Sequence, residues 1–182
     1  MNLANKLTLL RIILVPVFIA VFFIDMKYQN FVAAGIFIIA AITDFLDGSI
    51  ARKRNMVTNF GKLIDPIADK LLVCSALVML MTKPEYNMSA IVVIILIGRE
   101  FIISGFRLLA ASEGKVVAAS NLGKIKTVVQ IVAVCTVLLE GDVLFFTNIP
   151  FGQILMWASA ALAVVSMIDY LVKNRKIFDN LF

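Results

Sequence analysis

The sequence predicts an all-α integral membrane protein: six transmembrane helices preceded by a short N-terminal amphipathic helix, in a single domain of residues 1–182. Three observations predict it. Hydrophobic residues make up 62% of the chain and the mean hydropathy is +1.00, far above a soluble domain. The apolar residues fall in long runs split by short polar turns, as helices crossing a bilayer require. The basic residues collect at the ends of those runs, where they suit anionic headgroups and topology signals rather than nucleic acid, despite a net charge of +5.

Residues 1–11 read as the amphipathic surface helix: Leu3, Leu7 and Leu10 form an apolar stripe, while Asn5, Lys6, Thr8 and Arg11 are polar. The apolar run Ile12–Ile24 resembles a signal segment, but no small-x-small cleavage site follows it. It reads as the first span, with Pro16 permitting a kink. The second helix covers Phe31–Arg54, the third Phe60–Met81, and Lys83-Pro84-Glu85 forms a turn. The fourth covers Met88–Ala111, interrupted by Arg99, Glu100 and Arg107. The fifth covers Leu122–Leu139 and the sixth Phe151–Val172. Only the last is a clean apolar run of about 20 residues; the second to fifth reach that length only with the charges at their ends. Six spans put both termini on one side. That side holds Lys6, Arg11, Arg52, Lys62, Lys124, Lys126 and Lys173; only Lys27 and Lys83 fall opposite. The positive-inside bias makes it cytoplasmic.

The second and third helices carry the chemistry. Asp44, Asp47, Gly48, Ala51 and Arg52 stand at i, i+3, i+4, i+7 and i+8, on one helical face. Gly61, Asp65 and Asp69 stand at i, i+4 and i+8 on the next helix. Opposed in a hairpin, they bring four carboxylates together. Like charges share a low-dielectric site only when cations neutralise them or some take up protons. An all-oxygen donor set, in a chain with no histidine, suits hard divalent ions such as Mg2+ or Mn2+. Two such ions clamp phosphoryl groups. Gly48 and Ala51 leave room for a phosphate-bearing group to approach the backbone, and Arg52 offers a planar fork for it. A cation transporter is the rival class, because intramembrane acids also line ion paths. The grouping of the acids toward one face, and the companion Gly48, Ala51 and Arg52, argue against it.

The spacing D-x2-D-G-x2-A-R-x8-G-x3-D-x3-D, complete at Asp44, Asp47, Gly48, Ala51, Arg52, Gly61, Asp65 and Asp69, resembles the signature of the CDP-alcohol phosphotransferases. These are membrane enzymes of phospholipid synthesis. The resemblance, which extends to chain size and helix number, implies transfer of a phosphatidyl group from CDP-diacylglycerol to an acceptor hydroxyl, with release of CMP. It implies two Mg2+ or Mn2+ ions and a homodimer. It assigns the metals to Asp44, Asp47, Asp65 and Asp69, with Asp65 bridging, and makes Asp69 the general base. It places Asp47, Gly48, Ala51, Arg52 and Thr58 against CDP-diacylglycerol. The opening N-K-L-T-L-L-R is similar to that of the branch using glycerol 3-phosphate as acceptor, and makes Asn5 and Thr8 nucleotide contacts. A phosphorylated acceptor calls for cations, and Lys62, Arg99, Arg107, Lys124 and Lys126 are the candidates; inositol phosphate is the alternative acceptor they would suit.

Overall fold

The structure, a computed structural model, describes the backbone of residues 3–54, 59–112, 114, 117–118, 120–143 and 149–175. Within these, the side chains of 3–8, 44–54, 59–66 and 69, and the surroundings of 141, lie outside the description. The described chain is all helical. Its helices are α1 (Leu3–Val21), α2 (Gln29–Arg54), α3 (Asn59–Thr82), α4 (Ala90–Ser112), α5 (Asn121–Val143) and α6 (Phe151–Lys173), with a 3-10 turn at Pro84–Tyr86. The expected surface helix and first span are one uninterrupted helix, a correction to the sequence reading. No glycine or proline separates Leu10 from Ile12, and Pro16 is accommodated within the helix.

The helices expose large apolar side chains outward: Phe23 is 78% exposed, Leu108 75% and Ile94 69%. A soluble monomer rarely shows so much apolar surface. Two helices among the described residues are long and apolar enough to cross a membrane, Asn121–Glu140 and Phe151–Lys173. Most of each is not buried by the rest of the protein, unlike the core helix of a soluble domain. The fifth run thus qualifies together with the sixth.

The chain forms two compact units, Met1–Asn87 with Val134–Ile149, and Met88–Ala133 with Pro150–Phe182. In the first, α1 packs against both α2 and α3. Its contact stripe is Arg11, Val15 and Phe18, at helical spacings of four and three, and buried Phe22 follows just past its end. Phe18 meets Phe37 of α2 with ring centroids 6.1 Å apart. Small buried residues (Ala33, Ala34 and Ala40 on α2, Ala68 and Ala76 on α3) allow close approach, the packing mode of helices in lipid. The turns at the opposite end from the acids are tied by polar contacts. Lys83 Nζ donates to Gln29 Oε1 (2.7 Å), whose Nε2 donates to the Val21 carbonyl at the end of α1 (2.7 Å). Tyr86 Oη donates to Asn30 Oδ1 (2.6 Å), and Asn30 Nδ2 donates to Asp142 (2.8 Å). In the second unit α4 packs against α6. Arg99 meets Ser166 and Phe106 meets Tyr170, so the two helices run in the same direction.

Candidate active site

The backbone register of α2 and α3 carries the aspartates on from the buried stripes. On α2 one buried stripe runs through Ala33, Phe37 and Ala40, with Ala34 beside it, and the stripe's spacing continues through 44, 47 and 51. Thr43 is also buried, its hydroxyl donating back to the Ala40 carbonyl (2.7 Å). On α3 the buried stripe is Ala68, Leu72 and Ala76, and counting back along it gives positions 65 and 61. Apolar burial therefore sets the register in which the acids occur. The side chains of Asp44, Asp47, Ala51, Arg52, Lys62, Asp65 and Asp69 lie outside the described residues, as do those of Asn5 and Thr8, and so does all of Thr58.

Arg11 adds a cation at this end of the unit. It is 1% exposed, whereas its place in an amphipathic surface helix predicted a water-facing side chain. The pattern was legible but its direction was not: Leu9 and Leu10 face outward and the arginine faces the bundle. In lipid, polar residues turn inward because outside there is no water to solvate them. Phe18 contacts Phe37; seven residues back on α1 is Arg11, and seven on along α2 is Asp44. The antiparallel pair sets the two positions at one level.

The second unit holds a buried ionic cluster. The Arg99 guanidinium and the Lys126 ammonium both donate to Glu100 Oε1, Arg99 Nη1 at 3.2 Å. Arg99 is 8% exposed and Lys126 fully buried. Arg99 Nη2 reaches Ser166 Oγ on α6 (3.3 Å), and that hydroxyl donates to the Ala163 carbonyl (3.0 Å). The Nε of Arg99 is buried without a hydrogen-bond partner among the described residues. The buried Tyr170 hydroxyl, one turn beyond Ser166, is likewise without one.

The start of α5 shapes the seat of Arg99. Ser120 caps it, its Oγ accepting from the Gly123 N–H (3.0 Å). A Cβ at Gly123 would lie 3.0 Å from Arg99 Nη2 and 3.2 Å from Ser120 Oγ, tighter than ordinary contact. The absent side chain is where the guanidinium fits.

Of the five cations expected to receive an acceptor phosphate, the structure brings Arg99 and Lys126 together on one carboxylate. Arg107 and Lys124 are exposed. Two residues on a helix differ by about 200°, which separates Lys124 from the buried Lys126. Glu100, Gly123, Ser166 and Tyr170 received no site role from the sequence. A glutamate inside an apolar run was the available signal for Glu100; nothing in the sequence marked the other three.

The family model described as CDP-alcohol phosphatidyltransferase matches residues 1–165. The chain is similar to the CDP-diacylglycerol–glycerol-3-phosphate 3-phosphatidyltransferase of Bacillus subtilis (strain 168), 42% identical over 186 residues that cover 95% of each chain. It is similar to the proteins of that name from Rickettsia felis, 39% identical over 97% of each chain, and from Escherichia coli (strain K12), 38% identical over 96% of this chain and 95% of the other.

Proposed function

The chain belongs to the CDP-alcohol phosphatidyltransferase family, and on that premise we propose that it transfers the phosphatidyl group of CDP-diacylglycerol to glycerol 3-phosphate, giving phosphatidylglycerol phosphate and CMP. The observation that carries this reading is the complete eight-residue motif on two helices whose buried registers continue through its aspartates, in a chain whose full-length relatives bear that activity in their names.

The donor chemistry fits the metal requirement. Asp44, Asp47, Asp65 and Asp69 offer only oxygen, in a chain without histidine, which suits Mg2+ or Mn2+. These four would hold two ions, and bound ions would supply charge neutralisation to the diphosphate oxygens. The remaining steps belong to the chain itself. Gly48 and Ala51 keep the α2 backbone open to the diphosphate. Asp47, Arg52, Asn5, Thr8 and Thr58 orient the CDP moiety. Lys62, Arg99, Arg107, Lys124 and Lys126 receive the acceptor phosphate. Asp69 takes the proton from the acceptor hydroxyl as its oxygen bonds to the lipid-linked phosphorus. The phosphorus–oxygen bond to CMP breaks, and CMP leaves with that electron pair. Positioning and charge stabilisation carry most of the rate, as in other phosphoryl transfers.

The same reading places the protein in the cell membrane as one domain of six spans, with termini and active site on the cytoplasmic side and as a homodimer. The charge asymmetry of the sequence supports this orientation. The test is CMP release by purified protein given CDP-diacylglycerol, Mg2+ or Mn2+, and a panel of acceptors. Release with glycerol 3-phosphate is expected. Release only with inositol phosphate would move the chain to another acceptor, and no release with any acceptor would remove the enzymatic reading.

A further inference from the structure

From the cluster in the second unit we infer that Glu100 and Gly123 are positioning residues for the acceptor: they hold Arg99 and Lys126 as a fixed cationic pair that receives the phosphate of glycerol 3-phosphate. The inference rests on the proposed activity and names what sets up its acceptor side. Three observations carry it. First, one carboxylate oxygen, Glu100 Oε1, takes hydrogen bonds from both cations, so a single residue sets their separation. Second, the Gly123 notch seats the guanidinium, whose Nη2 also reaches Ser166 Oγ at 3.3 Å. The fork is therefore held from α4, α5 and α6. Third, with Nη1 and Nη2 so engaged, the Nε of this 8% exposed arginine is a buried donor with no partner among the described residues. Burying a donor unpaired is costly, and an oxyanion is the ligand a planar guanidinium suits best.

A held fork lowers the ordering cost of binding, because the arginine rotamers are already fixed before the acceptor arrives. Loosening it weakens acceptor binding without touching the lipid nucleotide, which the motif on α2 and α3 receives. The experiment uses full-length protein and steady-state CMP release, with each substrate varied in turn and thermal unfolding as the folding control. Gly123→Ala should raise KM for glycerol 3-phosphate about tenfold while KM for CDP-diacylglycerol stays within about twofold. Glu100→Gln should raise the same constant with the same selectivity. In an Arg99→Lys background, whose narrower ammonium leaves the notch empty, Gly123→Ala should add less than about twofold.

An unchanged or lowered KM for glycerol 3-phosphate in a folded variant, an equal rise in both constants, or additivity of Gly123→Ala with Arg99→Lys would overturn the inference. If Gly123→Ala fails to fold, Glu100→Gln decides on the same readings. Wild-type protein that turns over glycerol 3-phosphate while the variants behave as wild type sinks the positioning role alone. Wild-type protein inactive with that acceptor sinks the proposed activity itself.

Discussion

Lys126 and Arg99, 27 residues apart in the chain, share one oxygen of Glu100 inside the second unit. Lys126 has no exposed surface, so its charge is held by protein groups rather than by water. Such an arrangement is stable only while its members stay together: removing one partner leaves a buried charge uncompensated, at about 3–5 kcal/mol.

Asp69→Asn tests the general base. The amide keeps the shape of the side chain and cannot accept the proton. Turnover should fall by about 10²- to 10⁴-fold while the thermal unfolding temperature stays near that of wild type. Turnover within a few-fold of wild type would show that Asp69 does not take the proton.

Arg107→Ala tests the exposed part of the proposed acceptor site. Arg107 is exposed on α4, eight residues beyond Arg99, so its loss costs little in packing. KM for glycerol 3-phosphate should rise about fivefold, and more than KM for CDP-diacylglycerol. Equal rises would count against a phosphate contact there.

Removing divalent cations should abolish CMP release. Added Mg2+ or Mn2+ should restore it, because the proposed donors are all carboxylate oxygens. CMP release that persists after exhaustive chelation would contradict the assignment of Asp44, Asp47, Asp65 and Asp69 as metal ligands.

Tyr86 supplies a pH prediction at the far end of the first unit. Burial, reinforced by the charges of Glu85 and Asp142, raises its phenol from 10.0 to about 12. In the unfolded chain it ionises near 10, so between about pH 10 and 12 the unfolded state loses a proton that the folded state keeps. Its contribution to stability is therefore whole below pH 10 and is lost as pH rises through 12. Tyr86→Phe, which also deletes the hydrogen bond to Asn30, should cost about 1 kcal/mol near neutrality. The gap between wild type and variant should narrow above pH 10, measured by chemical unfolding across that range. A gap that stays constant to pH 12 would contradict the raised phenol.

The helices were legible because apolar runs of bilayer length leave little choice of secondary structure. Expected Phe31–Arg54 became Gln29–Arg54, and expected Phe60–Met81 became Asn59–Thr82. The N-terminal reading failed in two ways for one reason. An amphipathic pattern states that a helix has two faces, and the environment decides which face turns out. Leu9 and Leu10 face outward and Arg11 inward, the arrangement an apolar surround favours, and the helix runs on into the first apolar run. The aspartate motif was legible because its spacing matches the helical repeat on each of two helices. The buried ionic cluster was legible in its cations and in a glutamate set inside an apolar run. Gly123 and Ser166 join Arg99 through contacts between α4, α5 and α6, and tertiary contacts over 24 and 67 residues leave no local pattern.

Product stoichiometry tests phosphatidyl transfer to glycerol 3-phosphate most directly. Purified protein would be given CDP-diacylglycerol, Mg2+ and glycerol 3-phosphate labelled in its carbons, and both products quantified by mass spectrometry. The prediction is one labelled phosphatidylglycerol phosphate for each CMP. CMP without labelled lipid, or neither product, would contradict it.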